Sequence, residues 1–187
     1  MDFSWHSLDL VLYAPNVHQG GGRTLLLPVL KELAGNPAAG MILDHRLRIP
    51  DSLAIKGPMI RVFPDLKSRL VLEYRLRRLL GDRTIVLCMG NLPPLLARQG
   101  QQVVFLQNRY LVDHQSLAGF ELPIRLRIAL ERRWLKACSN RVIAWVVQGA
   151  TMAGLVRSQL DADTIVMPLV PDDLLHQEKA VSEQGKE

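Results

Sequence analysis

With 187 residues, 48% of them hydrophobic and 22% charged, the chain suits a single α/β domain large enough for a real core. It has no apolar run of the ~18 residues needed to cross a bilayer and no basic-then-apolar leader, which excludes a membrane-spanning or secreted reading and points to the cytoplasm. A net charge of +5 asks for an anionic partner, but only 5% of residues are aromatic and no aromatic-basic ladder appears, so nucleic acid is not expected.

Leu10 to Ala14 reads as a first strand, followed by Asn16-Val17-His18-Gln19 and then Gly20-Gly21-Gly22-Arg23-Thr24 opening a Leu-rich helix over Leu25 to Leu33. Three residues without Cβ let backbone approach a ligand, and the free N–H groups of a helix start attract anions, with Arg23 as a positive partner. No Lys-Ser/Thr pair follows the glycines, and Leu25 stands where a third dinucleotide-loop glycine belongs. A phosphate cradle and a turn that merely packs strand on helix therefore both stand. Pro28 costs about 3 kcal/mol in a helix interior, so the helix is expected to begin near Leu27 or to bend there.

Met41 to Leu43 and Met59 to Phe63 are the next strands, and Asp65 is the expected N-cap of a helix from Leu66 to Leu80. Thr84 to Met89 is a strand apolar on both faces, and a helix or turn then carries the chain past Pro93-Pro94 to Gly100. Val103 to Leu106, a helix from Pro123 to Lys136, Val142 to Val147, a helix to about Leu160 and Thr164 to Met167 complete the alternation. The fold class is α/β: a Rossmann-like parallel sheet of about seven strands with helices on both faces. Cys88 and Cys138 lie in apolar segments with no Cys/His cluster, so they read as buried thiols, and no metal site is expected.

Ligands of such sheets gather beyond the carboxyl ends of the strands. His18, the glycines, Asn91, Gln107, Asn108 and Gln148 fall there, a largely neutral hydrogen-bonding set suited to hydroxyls and hence to sugars. Singly, each is as well explained as a loop-capping residue.

Tyr13-Ala14-Pro15-Asn16-Val17-His18 with the glycine triplet, Gly90-Asn91-Leu92-Pro93-Pro94, and Val104-Phe105-Leu106-Gln107-Asn108-Arg109-Tyr110-Leu111-Val112-Asp113 together carry a resemblance. Over residues 8 to 173 the chain resembles the N-terminal domain of family-4 retaining glycosyltransferases, above all bacterial ones that build lipopolysaccharide or capsule. The resemblance implies one half of a two-domain GT-B enzyme that transfers sugar from a nucleotide-sugar donor to a lipid-linked or polysaccharide acceptor. It implies no metal and no cofactor beyond that co-substrate. It assigns Gly20, Gly21, Gly22 and Arg23 to the donor's diphosphate and Asn16, Asn91, Gln107 and Asn108 to the acceptor side. Many relatives place a histidine after the fifth strand; Gln107 stands there instead, leaving His18, Gln107 and His114 as candidate catalytic groups. The resemblance calls for a C-terminal donor domain that is expected to be missing here, which leaves half of a split enzyme with a separate donor-domain chain as partner, a truncated fragment, or a relic that binds without transferring; residues 174–187 read as a polar, disordered tail.

On the helix from Pro123 to Lys136, Arg125, Arg132, Arg133 and Lys136 share about a 100° arc. That arc is bordered by one strip of Leu126, Leu130, Trp134 and Ala137 and another of Ile124, Ile128 and Leu135. On the preceding helix, Leu72, Leu76, Leu79 and Leu80 oppose Lys67, Arg75 and Arg78. Basic helices with apolar borders suit the anionic inner leaflet, so peripheral membrane contact is expected; a solvated face is the plain alternative. Two further classes stay open. Asp44, 22 residues after Gly22, stands near the ribose acid of a dinucleotide-binding oxidoreductase, although His45 and Arg46 suggest an exposed polar loop. The other is a non-catalytic module that docks on membrane or a partner.

Overall fold

The computed structural model describes residues 5–113 and 115–168. His114, residues 169–171 at the expected crossing to a second domain, and the 174–187 tail lie outside them. In chain order the elements are β1 (Leu10–Ala14), α1 (Gly20–Ala34), β2 (Ala39–Asp44), β3 (Met59–Val62), α2 (Leu66–Leu79) and β4 (Ile85–Cys88). There follow β5 (Gln101–Phe105), α3 (Leu122–Cys138), β6 (Val142–Val147), α4 (Ala150–Leu160) and β7 (Thr164–Val166). Seven strands form one sheet in the order β3-β2-β1-β4-β5-β6-β7, every pair parallel. This is the Rossmann-like α/β arrangement the alternation predicts.

The order reverses at β1. From β1 the chain winds outward to β2 and β3, then returns to lay β4 on the other side of β1. One face is covered by α2, α3 and α4 through Leu72, Leu76, Ile128, Leu135, Ala153 and Val156. The other is covered by α1 through Leu26 and Leu30, with Leu47 and Leu53 of the β2–β3 connection. The core strands alternate accordingly: Val11 and Tyr13 face the three helices, and Leu12 and Ala14 face α1.

One local feature departs from the sequence expectations, and a second decides between two alternatives they left open. α1 begins at Gly20 rather than near Leu25 or Leu27, with Pro28 inside it. The N–H groups of a first turn have no helical partner, so glycines lose little there. Pro28 and Thr24 both lie on the exposed side, so the Thr24 carbonyl that loses its donor can turn to water. Complete burial of Leu26 and Leu30, at roughly 1.5–3 kcal/mol each, outweighs the proline. The second feature is the β4–β5 connection, which contains no helix. Pro93 and Pro94 cannot continue one, and side chains from the helices hold the segment instead. Trp134 Nε1 donates to Pro93 O (2.9 Å), Arg141 to Leu95 O (2.9 Å) and Ala97 O (2.7 Å), and the Leu96 amide donates to Glu73 Oε2 (2.8 Å).

Glu73 is 5% exposed and also accepts from Tyr13 Oη at 3.1 Å, which ties α2 to β1. Burial raises its pKa against the pull of those two donors, and burial with the neighbouring carboxylate pushes the Tyr13 phenol well up. Asp65 caps α2 as expected, accepting from the Ser68 amide at 2.8 Å. Cys88 and Cys138 are buried free thiols.

Candidate functional site

The switch point between β1 and β4 opens a cleft of about 290 Å³ at the strands' carboxyl ends. Asn16, Gly22, Gly90, Asn91, Gln107 and Asn108 line it, so three successive strand-end loops meet as the spacing predicts. Val17, Gln19, Met89 and Arg127 complete the wall.

Each asparagine that lines it has a task in the fold. Asn91 is left-handed, with φ of 68°, and its Oδ1 accepts from the amides of Gln107 (2.7 Å) and Asn108 (2.8 Å). One side chain thus pins the loop after β5 to the loop after β4, a conformation that asparagine tolerates better than most residues. Asn16 Nδ2 donates to Gly90 O at 3.1 Å, and its amide lies where a Cβ on Gly90 would fall. Asn108 caps a single 3-10 turn, Arg109–Leu111, by accepting from the Tyr110 amide. Gln107 differs: its Nε2 is buried and has no hydrogen-bond partner among the described residues.

The N-terminus of α1 forms the floor's positive end. Gln19, the N-cap, is extended and makes no side-chain capping bond. Gly20 has φ of 63°, which calls for glycine, whereas a Cβ on Gly20 or Gly21 would meet nothing within 4 Å. On Gly22 it would meet Val17 Cγ1 at 3.2 Å. Close packing therefore explains Gly22 and backbone geometry explains Gly20, while the space over Gly21 is open.

Of the glycine triplet only Gly22 lines the cleft; Gly20, Gly21 and Arg23 do not, and neither do His18 or Gln148. The cation at its wall is Arg127 of α3, whose Nε donates to Glu131 Oε1 at 3.0 Å. Sequence reading missed Arg127, because an exposed arginine on an amphipathic helix carries no local mark; only the crossover that follows β5 brings it to the rim.

His18 faces a neighbouring cluster. Its Nδ1 is buried 3.9 Å from Asp44 Oδ2 and has no hydrogen-bond partner. Asp44 is fully buried at the end of β2, with Arg46 donating to both its oxygens (3.0 and 2.9 Å) and Arg69 3.8 Å away. Burial pushes its pKa up, but the Arg46 hydrogen bonds and charge prevail and hold it below the usual carboxylate range. The exposed polar loop expected here holds for His45 and Arg46 and not for Asp44. Arg69 also donates to Pro15 O, which anchors the turn after β1.

On α3, Ile128 and Leu135 pack on the sheet, so of the two apolar strips it is this one that turns inward. Leu122, Leu126 and Leu130 stay more than half exposed, as do Leu66, Leu70 and Tyr74 on α2, each set spaced i, i+4, i+8. Arg125, Arg133 and Lys136 are exposed beside them. Arg132 is engaged instead, donating to Tyr110 O (2.8 Å) and Asp113 O (2.5 Å). Trp134 is half-buried over Pro93. Among the described residues no helix is long and apolar enough to cross a membrane, and no His/Cys/Asp/Glu group is placed to hold a metal.

Comparison with known proteins returned no match: no family model fits the sequence, and no curated protein or solved structure is significantly similar to it.

Proposed function

We propose that the chain is the acceptor-side Rossmann-like domain of a retaining glycosyltransferase of the GT-B type, with the switch-point cleft facing the donor's diphosphate and the acceptor sugar. The observation that carries this reading is the chemistry of the cleft. It joins an uncapped helix N-terminus, the unpartnered Gln107 Nε2 and the Arg127 guanidinium, and among the described residues no carboxylate lines it. Amide donors and a guanidinium beside a helix N-terminus suit a phosphorylated sugar, with only the Nε of Arg127 taken up by Glu131. In this reading α1 and Arg127 hold the diphosphate, the role expected of Arg23, and Gln107 with Asn108 meets acceptor hydroxyls. His18 lies off the cleft wall, its Nδ1 3.9 Å from Asp44 Oδ2, and takes no part in this reading. The saturated Asp44 carboxylate weighs against the oxidoreductase alternative, since both its oxygens already accept from Arg46.

The test combines this chain with the donor domain of a family-4 enzyme and a labelled nucleotide sugar, and looks for transfer to a lipid-linked saccharide. Transfer that disappears on Arg127→Ala supports the reading. Transfer indifferent to Arg127 and Gln107, or none with any donor domain while the fold is intact, sinks it.

A second reading rests on a separate observation and concerns location. The leucine ridges of α2 and α3 stand on one side of the sheet amid arginines and lysines, which supports docking on the cytoplasmic leaflet. A non-catalytic docking module would share this surface and lack transfer.

A further inference from the structure

The far edge of the sheet carries a feature that neither the cleft nor the leucine ridges use. β3 is an edge strand, and between it and α2 run two adjoining hollows of about 340 and 500 Å³ that share Ile60 and Arg75. Volumes of this size are typical of small-molecule sites. Their floor is apolar: Val62, Val71 and Leu72 in one, Trp5 and Leu79 in the other. Their rim holds Lys67, Arg75 and Arg78, the last lying over the Tyr74 ring at 5.2 Å, and no carboxylate lines either hollow.

The edge also supplies backbone donors. Met41 N bonds Pro58 O and His45 N bonds Val62 O, so by the alternation of a parallel ladder the amides of Arg61 and Phe63 point away from β2. Arg61 sends its guanidinium to the other face, onto His45 O and Leu47 O, and so lends the groove main chain rather than charge. Along α2 from Lys67 to Leu79 the groove runs roughly 18 Å at 1.5 Å per residue.

We propose that this groove binds a single-chain anionic amphiphile, its apolar tail along Ile60, Val71 and Trp5 and its acidic head on Arg75 and Lys67. Concavity separates it from the ridges, since a bilayer receives protruding side chains whereas a recessed channel takes one chain at a time. The short β3 is bracketed by Pro58 and Pro64, which disfavours an added peptide strand. The proposal is independent of the glycosyltransferase reading.

Titration of the full chain with monomeric dodecyl phosphate and laurate, followed by calorimetry and by Trp5 fluorescence with Trp5→Phe as reference, tests it. One saturable site is expected, at least tenfold tighter for either anion than for neutral dodecyl glucoside. Arg75→Glu and Val71→Asp, both at exposed positions, should each weaken it tenfold or more, and Leu126→Asp on α3 should not. Phosphate preferred over carboxylate identifies a lipid phosphate as the head, and the reverse a fatty acid. Equal binding of the neutral probe, indifference to both groove variants, or binding only to intact vesicles or to an acidic helical peptide overturns the proposal.

Discussion

Asn91 shows how much one residue decides at the cleft. Replacing it with alanine leaves the amides of Gln107 and Asn108 without their acceptor and puts a less tolerant residue at positive φ, so Asn91→Ala should cost about 2–4 kcal/mol in urea unfolding. Gly21→Leu is the converse. Nothing among the described residues lies within 4 Å of the added Cβ, so the melting temperature should change little; a large drop in melting temperature would mean that Gly21 serves packing. Asp44 sets a pH dependence. Its pKa is lower folded than unfolded, so its stabilisation is complete above the usual carboxylate range and fades as pH falls through the depressed value. Asp44→Asn should therefore lose roughly 1–3 kcal/mol at pH 7 and approach the parent protein as pH falls through the depressed value, as followed by denaturant unfolding across pH. Glu73 works in the opposite sense: its raised pKa favours the fold at acid pH and less so as pH rises beyond the usual carboxylate range. At this scale the sequence was partly legible. Asn91, Gln107 and Asn108 stand where the strand ends place them, but composition cannot show whether an asparagine amide faces a ligand or holds a neighbouring loop. Nor could it show that Asp44 is buried among arginines from two other segments.

Among the elements, strands and helices followed hydrophobic periodicity closely, because the central strands β1 and β2 bury both faces and each helix one stripe. The misreading of α1 has a plain cause: glycine and proline propensities were weighed against a free helix, whereas Leu26 and Leu30 seat this one on the sheet. α3 poses the more useful test. Arg125, Arg133 and Lys136 are exposed beside outward leucines, while Arg132 is occupied with the carbonyls of Tyr110 and Asp113. The triple change to glutamine at the three free positions should weaken binding to phosphatidylserine vesicles about 100-fold, at roughly 1 kcal/mol per cation. Arg132→Gln should mainly loosen the 109–113 turn and leave vesicle binding near its starting value. Unchanged co-sedimentation of the triple variant would remove the bilayer from consideration.

For the molecule as a whole, strand order decided the location of the cleft. A reversal at β1 leaves a crevice beside it whatever the side chains are; the spacing of apolar runs foresaw a parallel sheet with ligands at its carboxyl ends, but not the strand order. Convergence across long sequence distances was not foreseeable: Arg127 meets the glycine turn only after four further strands and two helices have been laid down. The unwound segment between β4 and β5 has a mechanical consequence. α2 grips it through Glu73, α3 through Trp134, and Arg141 from the turn before β6, so this stretch acts as a strut bracing the cleft wall against the outer helices. Pressure applied to α2 or α3 from outside must then reach the wall through the Glu73 and Trp134 bonds, and solvent exchange at the Leu96 amide is the gauge on which it would be read.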